Sequence, residues 1–159
     1  MDIKNQITQL NDIYKPIWER TTNIGRDLQE LGYKVTKGFH NNNSIKIDGN
    51  FITEFFPIPI ITVEGVGDVG IDLDCVWFEV VVPKEKALSL DYTSIAKEYK
   101  IEVYGNENYL NDIYNEQISV SEIVPAIKAS SETNICVLFY FEQCITANDI
   151  MTAARTVEA

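Results

Sequence analysis

The chain has 159 residues, of which 45% are hydrophobic and 23% are charged, the ordinary composition of a globular protein. A chain of this length has the usual size of one domain and needs neither a metal nor a disulfide to fold. This composition excludes a largely disordered protein. We therefore predict one domain that spans residues 1–159.

The charge of the chain is acidic and unevenly distributed. Residues 1–50 carry seven basic and six acidic residues, net +1, whereas residues 51–159 carry six basic and 18 acidic residues, net −12. Because such a field repels phosphate, we expect no nucleic-acid partner and no membrane partner. A basic protein surface or a cation fits the field better, although solubility alone is the simpler interpretation.

Three cysteines, Cys75, Cys136 and Cys144, form no Cys-x-x-Cys pair. The first residues lack the apolar core of a signal peptide, and no window approaches about 18 uninterrupted apolar residues. These features predict a cytoplasmic protein with reduced thiols.

The first element is a helix. Apolar residues recur at steps of three and four from Ile3 to Leu31, and Gly32 suits the position just after a helix. Pro16 predicts either a kink or a break into two helices. A short strand at 33–35 and a hairpin of 44–47 with 51–56 around Asp48-Gly49 are predicted next.

An antiparallel meander follows. Pro57 and Pro59 predict an edge or a bend, and residues 60–64 a strand. Beyond a glycine-rich turn we predict one long strand at 71–82. Its second half is apolar on both faces except at Glu79, which predicts cover on both sides.

Helices and strands alternate after Pro83. Helices are predicted at 91–99, 121–128 and 146–156, capped by Asp91, by Ser121 and by Thr146 with Asp149. Strands are predicted at 101–104 and 134–141, and a partial helix at 109–114. This order predicts an α+β fold with a long N-terminal helix, an antiparallel meander and a mixed sheet whose helices pack mainly on one face.

The densest group of carboxylates lies between residues 64 and 79, where Lys and Arg are absent. Its members are Glu64, Asp68, Asp72, Asp74 and Glu79. Two aspartates two positions apart on a strand point the same way, so Asp72 and Asp74 are a candidate Mg²⁺ or Mn²⁺ site. A solvated strand face is the simplest interpretation, and a docking surface for a basic partner is the second.

Other motifs are weaker. The sole histidine, His40, has no nucleophile placed beside it by the sequence. The spelling Gly65-Val66-Gly67-Asp68-Val69-Gly70 precedes a strand rather than a helix, so we interpret it as accidental. An acidic and aromatic stretch containing Tyr104, Glu107, Tyr109 and Asp112 is a candidate binding surface.

Taken together, these patterns favour a non-enzymatic protein, inhibitor-like or immunity-like in character, that binds a partner with a basic surface and needs no cofactor. A divalent-metal enzyme using Asp72 and Asp74, with Asp68 or Glu64 assisting, is the first alternative. A small-ligand pocket between sheet and N-terminal helix is the second, and a homo-oligomer is also kept open.

Overall fold

The computed structural model describes residues 2–40, 58–71, 75–107, 112–114, 118–141 and 145–158. The helices are α1 (Ile3–Glu30), α2 (Lys84–Ala87), α3 (Tyr92–Glu98), α4 (Ile123–Ala129), preceded by a 3₁₀ turn at Val120–Glu122, and α5 (Ala147–Glu158). The strands are β1 (Val35–His40), β2 (Ile58–Val63), β3 (Gly67–Ile71), β4 (Val76–Pro83), β5 (Lys100–Gly105), β6 (Asp112–Tyr114) and β7 (Asn134–Phe141). The hairpin predicted at 44–56 lies outside the described residues.

Helix α1 is one continuous element of 28 residues, which confirms the predicted long N-terminal helix and excludes the alternative of two helices. Pro16 removes the amide that would bond to the carbonyl of Asp12. Both residues are exposed, so water can satisfy that carbonyl. Beyond the helix, Gly32 has a φ of 92°, a conformation that glycine adopts without strain, as its position predicted.

The seven described strands form one sheet in the order β1-β2-β3-β4-β7-β5-β6. Every pairing is antiparallel, so the expectation of a mixed sheet is corrected. The helical connection from β4 to β5 does join two strands that run in the same direction. They form no parallel pair because β7 lies between them, antiparallel to both.

The helices pack on one face of this sheet, which confirms the predicted α+β class. Every helix buries side chains in the same apolar cluster as alternate residues of the strands. At its centre Phe78 of β4 stacks on Phe139 of β7 with ring centroids 5.9 Å apart. Tyr99 meets Phe139 edge to face, at 5.4 Å. Within the part of the chain that the structure describes, no helix lies on the other face of the sheet.

The predicted long strand at 71–82 is wrong. Strand β3 ends at Ile71 and β4 begins at Val76, and these two residues pair, so the chain reverses between them. Nor is β4 covered on both sides, because Val76, Phe78, Val80 and Val82 are buried while the residues between them are partly or fully exposed.

Two other local predictions are also corrected. Residues 112–114 form strand β6 rather than part of a helix. Ser119, not Ser121, begins the next helical segment, through a capping box with Glu122. By contrast, the caps predicted for α3 and α5 are confirmed. Asp91 accepts from the Ser94 amide at 3.1 Å, and Asp149 accepts from the Thr146 amide at 2.7 Å.

Tyr92 carries a buried hydroxyl that finds no hydrogen-bond partner among the described residues. The residue is 3% exposed, and burial raises the pKa of its phenol. A buried polar group without a partner costs about 1–3 kcal/mol. We expect Tyr92→Phe to raise the free energy of unfolding by about 1 kcal/mol, which moves Tm up by about 2–4 °C.

Urea and thermal unfolding measure this effect. Tyr140→Phe is the matched control, because the Tyr140 hydroxyl donates to Glu102 at 3.0 Å and its removal should lower stability instead. A Tyr92→Phe protein that is less stable than wild type would show that the hydroxyl is satisfied, for instance by buried water.

Candidate functional site

The side of the sheet opposite the helices is called here the open face, and its side chains are covered by none of the described helices. Because side chains alternate along a strand, the residues between the buried ones share this face. In its central strands they are Trp77, Glu79 and Val81 of β4, Cys136, Leu138 and Tyr140 of β7, and Lys100, Glu102 and Tyr104 of β5. Cys136 is buried, Val81 and Lys100 are exposed, and the others are partly exposed.

Three carboxylates of the open face lie in one line across four strands. Asp68 of β3 pairs with Glu79 of β4, Glu79 pairs with Leu138 of β7, and Leu138 pairs with Glu102 of β5. We call Asp68, Glu79 and Glu102 the acidic row. Since Glu79 and Glu102 flank the same residue, their backbones are two strand spacings, or about 10 Å, apart.

Hydroxyl groups hold each carboxylate of the acidic row. Thr62 donates to Asp68 at 2.6 Å, Tyr104 donates to Glu79, and Tyr140 donates to Glu102 at 3.0 Å. Both tyrosine bonds join residues of different strands. The acidic row is therefore a set of oriented acceptors rather than a group of mobile surface charges.

A second line, the aromatic row, runs beside the first. Gly70 pairs with Trp77, Trp77 with Tyr140 and Tyr140 with Lys100. A Cβ atom at Gly70 would overlap the Trp77 indole, so the ring covers this glycine. The Lys100 Nζ lies 5.6 Å from the centroid of the Tyr140 ring, within the range of a cation–π contact.

The glycines spelled like a phosphate-binding loop have structural roles instead. Gly65 has a φ of 75° between β2 and β3, and a Cβ at Gly67 would overlap the carbonyl of Glu79. Together with the cover of Gly70 by Trp77, these contacts agree with the accidental spelling inferred from sequence.

The structure brings together only part of the predicted site. Asp68, Glu79 and Tyr104 meet on the open face, whereas Glu64 lies in the β2–β3 turn, 2.5 Å from Lys34. Asp72, Asp74 and Tyr109 are outside the described residues, so the metal hypothesis stays a prediction. Among the residues that are described, no group of three His, Cys, Asp or Glu is arranged to hold a metal.

Glu107 binds the start of β7 rather than joining the acidic row. Its carboxylate accepts from the Thr133 hydroxyl and from the Asn134 amide at 3.2 Å, and its own backbone amide donates to Glu132 at 3.0 Å. Glu132 is 5% exposed and packs against Gly105, where a Cβ would overlap it. Asp112 pairs through its backbone with Tyr104, and only the backbone of Asp112 belongs to the described part of the structure.

Cys136 lies in the centre of the open face but is a poor nucleophile. Burial, and then the negative charge of Glu79, raise the pKa of its thiol to about 12. The thiol donates to the side chain of Asn106 at 3.4 Å. A thiol with so high a pKa is almost entirely protonated at neutral pH, so the geometry favours packing over covalent chemistry.

Sequence reasoning missed several residues of the open face. Lys100 and Glu102 were missed, although they alternate with apolar residues in β5 as the predicted Tyr104 does, and this signal would have identified their shared face. Trp77 and Tyr140 have apolar neighbours on both sides in the sequence. No local signal distinguishes them from core aromatics.

Comparison with known proteins gives a family and a fold. The model of the family described as "Protein of unknown function (DUF3201)" matches residues 8–150. A solved structure of a conserved hypothetical protein from Pyrococcus furiosus superposes with a TM-score of 0.71 at 23% identity, over 96% of this chain and 98% of that one. No curated protein matches the sequence. In the described part of the chain, no helix is both long and apolar enough to cross a bilayer.

Glu107 gives a testable pH dependence. Side-chain hydrogen bonding with Glu132, and then with Thr133, lowers the pKa of Glu107 from 4.5 to about 2. A depressed pKa in the folded state adds stability above the unfolded-state pKa, and this contribution is lost as the pH falls from about 4.5 to about 2. We expect Glu107→Gln to be less stable at pH 7 and to lose less stability across that window.

Urea unfolding at half-unit pH steps measures both slopes. Glu85→Gln, which removes an exposed carboxylate of α2, is the control and should follow wild type. Parallel curves for wild type and Glu107→Gln would show that the bonds to Thr133 and Asn134 do not form in solution.

Proposed function

Because the chain belongs to the DUF3201 family, described only as proteins of unknown function, we propose a function from its own geometry: it is a protein-binding domain whose open face receives basic side chains of a partner. One observation carries the proposal. An oriented acidic row lies beside an aromatic row on a sheet face that no helix of the described residues covers.

The chemistry of these two rows suits arginine. A guanidinium group donates two parallel hydrogen bonds to a carboxylate and stacks on aromatic rings, whereas an ammonium group is a compact point charge. Glu79 and Glu102 supply carboxylates, and Trp77 and Tyr140 supply rings one pleat away. The contact of Lys100 with Tyr140 supports the proposal, because the chain's own cation already uses this arrangement.

The rigidity of the face supports a binding role as well. Tyrosines place large contact areas at interfaces with little loss of conformational freedom, and here each also fixes a carboxylate. A partner therefore meets acceptors that are already oriented, which lowers the entropic cost of association. The long-range negative field of residues 51–159 would steer a basic partner toward the protein.

The double variant Glu79→Gln, Glu102→Gln tests the proposal. Glutamine keeps an acceptor for each tyrosine but removes both charges, so the fold should remain while binding falls at least ten-fold. The measurement is affinity capture from cell extract with immobilised wild-type protein, followed by titration of each captured protein against wild type and variant. Capture should weaken between 0.1 M and 1 M salt, where the Debye length shortens from about 10 Å to about 3 Å.

Glu85→Gln, Glu98→Gln is the matched control, because it removes two exposed carboxylates on the helix side of the sheet. It should bind like wild type. Partners retained equally by all three proteins, or retained at high salt, would contradict a role for the acidic row.

A further inference from the structure

The N-terminal half of α1 carries apolar side chains that are exposed to solvent. Ile3 is 70% exposed, Ile7 61%, Ile13 41% and Leu10 36%. The first buried residue of the helix is Ile17, and from there onward one face of α1 packs into the core. Residues 3–16 form about 21 Å of helix ahead of that point.

Three of these exposed residues belong to the same seam as the buried ones, and Ile13 lies beside it. Ile3, Ile7 and Leu10 are separated by steps of four and three, and the same alternation continues to the buried residues Ile17, Thr21, Ile24 and Leu28. A repeat of four and three is the spacing with which two helices pack together. Half of the seam packs within the chain, and the other half has the spacing to pack on a second helix.

We propose that this second helix is the N-terminal half of α1 from a second copy of the chain, paired antiparallel about a two-fold axis. The four exposed side chains offer on the order of 350 Å² per protomer, so two copies bury about 700 Å² from these side chains alone. With the polar residues beside them the contact approaches the roughly 1,000 Å² of a specific interface, which predicts a dimer of micromolar rather than nanomolar affinity.

The charge distribution favours a second copy of the chain as the partner and an antiparallel orientation of the two helices. The positions that flank the seam are Lys4, Gln6, Asn11 and Ile13, and none is acidic. Residues 51–159 carry −12, so the contact lies in the region of the chain where two copies repel each other least. Antiparallel pairing places the two acidic bodies at opposite ends of about 21 Å of helix, more than twice the Debye length of about 8 Å at physiological salt.

The length of the exposed segment fits antiparallel pairing of the two helices. When Ile7 packs against Leu10 of the second copy, Asp2 lies level with Lys15 of that copy. The second helix therefore begins just before Ile17, where the body of the first domain starts. The contact is isologous, so it closes as a dimer and does not propagate into a filament.

The experiment is sedimentation equilibrium of the full chain across a range of concentrations. We expect wild type to dimerise and Ile7→Glu to raise the dissociation constant at least ten-fold. Asn5→Glu is the matched control, since it adds the same charge to the same turn but away from the seam, and it should dimerise like wild type. Because Ile7 is exposed, thermal unfolding should show that both variants keep the fold.

Three outcomes would overturn the dimer. The first is a wild-type chain that stays monomeric at every concentration, which is also expected if the exposed half of the seam is covered within one chain. The others are a dimer that Ile7→Glu leaves intact, or a loss of dimer affinity in Asn5→Glu equal to that in Ile7→Glu. Orientation is tested by mixing two variants that each carry one added cysteine and measuring disulfide formation between them. Wild type is oxidised in parallel as a control for the native cysteines. Lys4→Cys with Asn11→Cys should cross-link in the antiparallel pair. Cross-linking of Gln6→Cys with Asn11→Cys instead would show parallel helices and refute the antiparallel arrangement.

Discussion

The pairing of β4 with β7 is the contact on which the rest of the molecule depends. It joins eight residue pairs in the middle of the sheet. Because successive side chains point to opposite faces, this one ladder supplies the centre of the core, Phe78 against Phe139, and the centre of the open face, Glu79 beside Leu138. A slip of one residue would exchange the two faces and bury Glu79 among apolar side chains. The packing of the core therefore fixes the β4–β7 register, and this register decides which side chains form the candidate site.

The same ladder explains why the acidic residues matter more in the fold than in the sequence. Asp68 and Glu79 are eleven positions apart, and Glu102 is 23 further on, yet antiparallel pairing places all three in one line. The carboxylates that stood out as a cluster along the chain do not stay together, because Glu64 is in a turn beside Lys34. Proximity in sequence therefore grouped Asp68 with Glu79 correctly, but it also grouped Glu64 with carboxylates that it does not join in the fold.

Local signals predicted most elements, and non-local ones escaped prediction. The seam of α1, the caps at Asp91 and Thr146 and the apolar run of β7 each depend on residues a few positions apart, and each prediction is confirmed. The insertion of β7 between β4 and β5 depends on contacts between residues 30 or more positions apart, which no local pattern encodes. The open face was hidden for a related reason. Leu138 and Tyr140 are hydrophobic residues that alternate with core residues in β7. The sequence of β7 therefore predicts burial on both faces, although one face is only partly covered.

The acidic row also imposes an energetic cost that bears on its role. Like charges directly across two strands destabilise a sheet, and Asp68 lies directly opposite Glu79. Hydroxyl donors from Thr62 and Tyr104 offset part of this repulsion without removing the charge. A basic group that binds there relieves the remaining repulsion only in the folded state, so by linkage the domain gains stability as it binds. Neutral side chains at these positions would give a more stable isolated domain, and this energetic cost is consistent with the proposed binding of a basic partner.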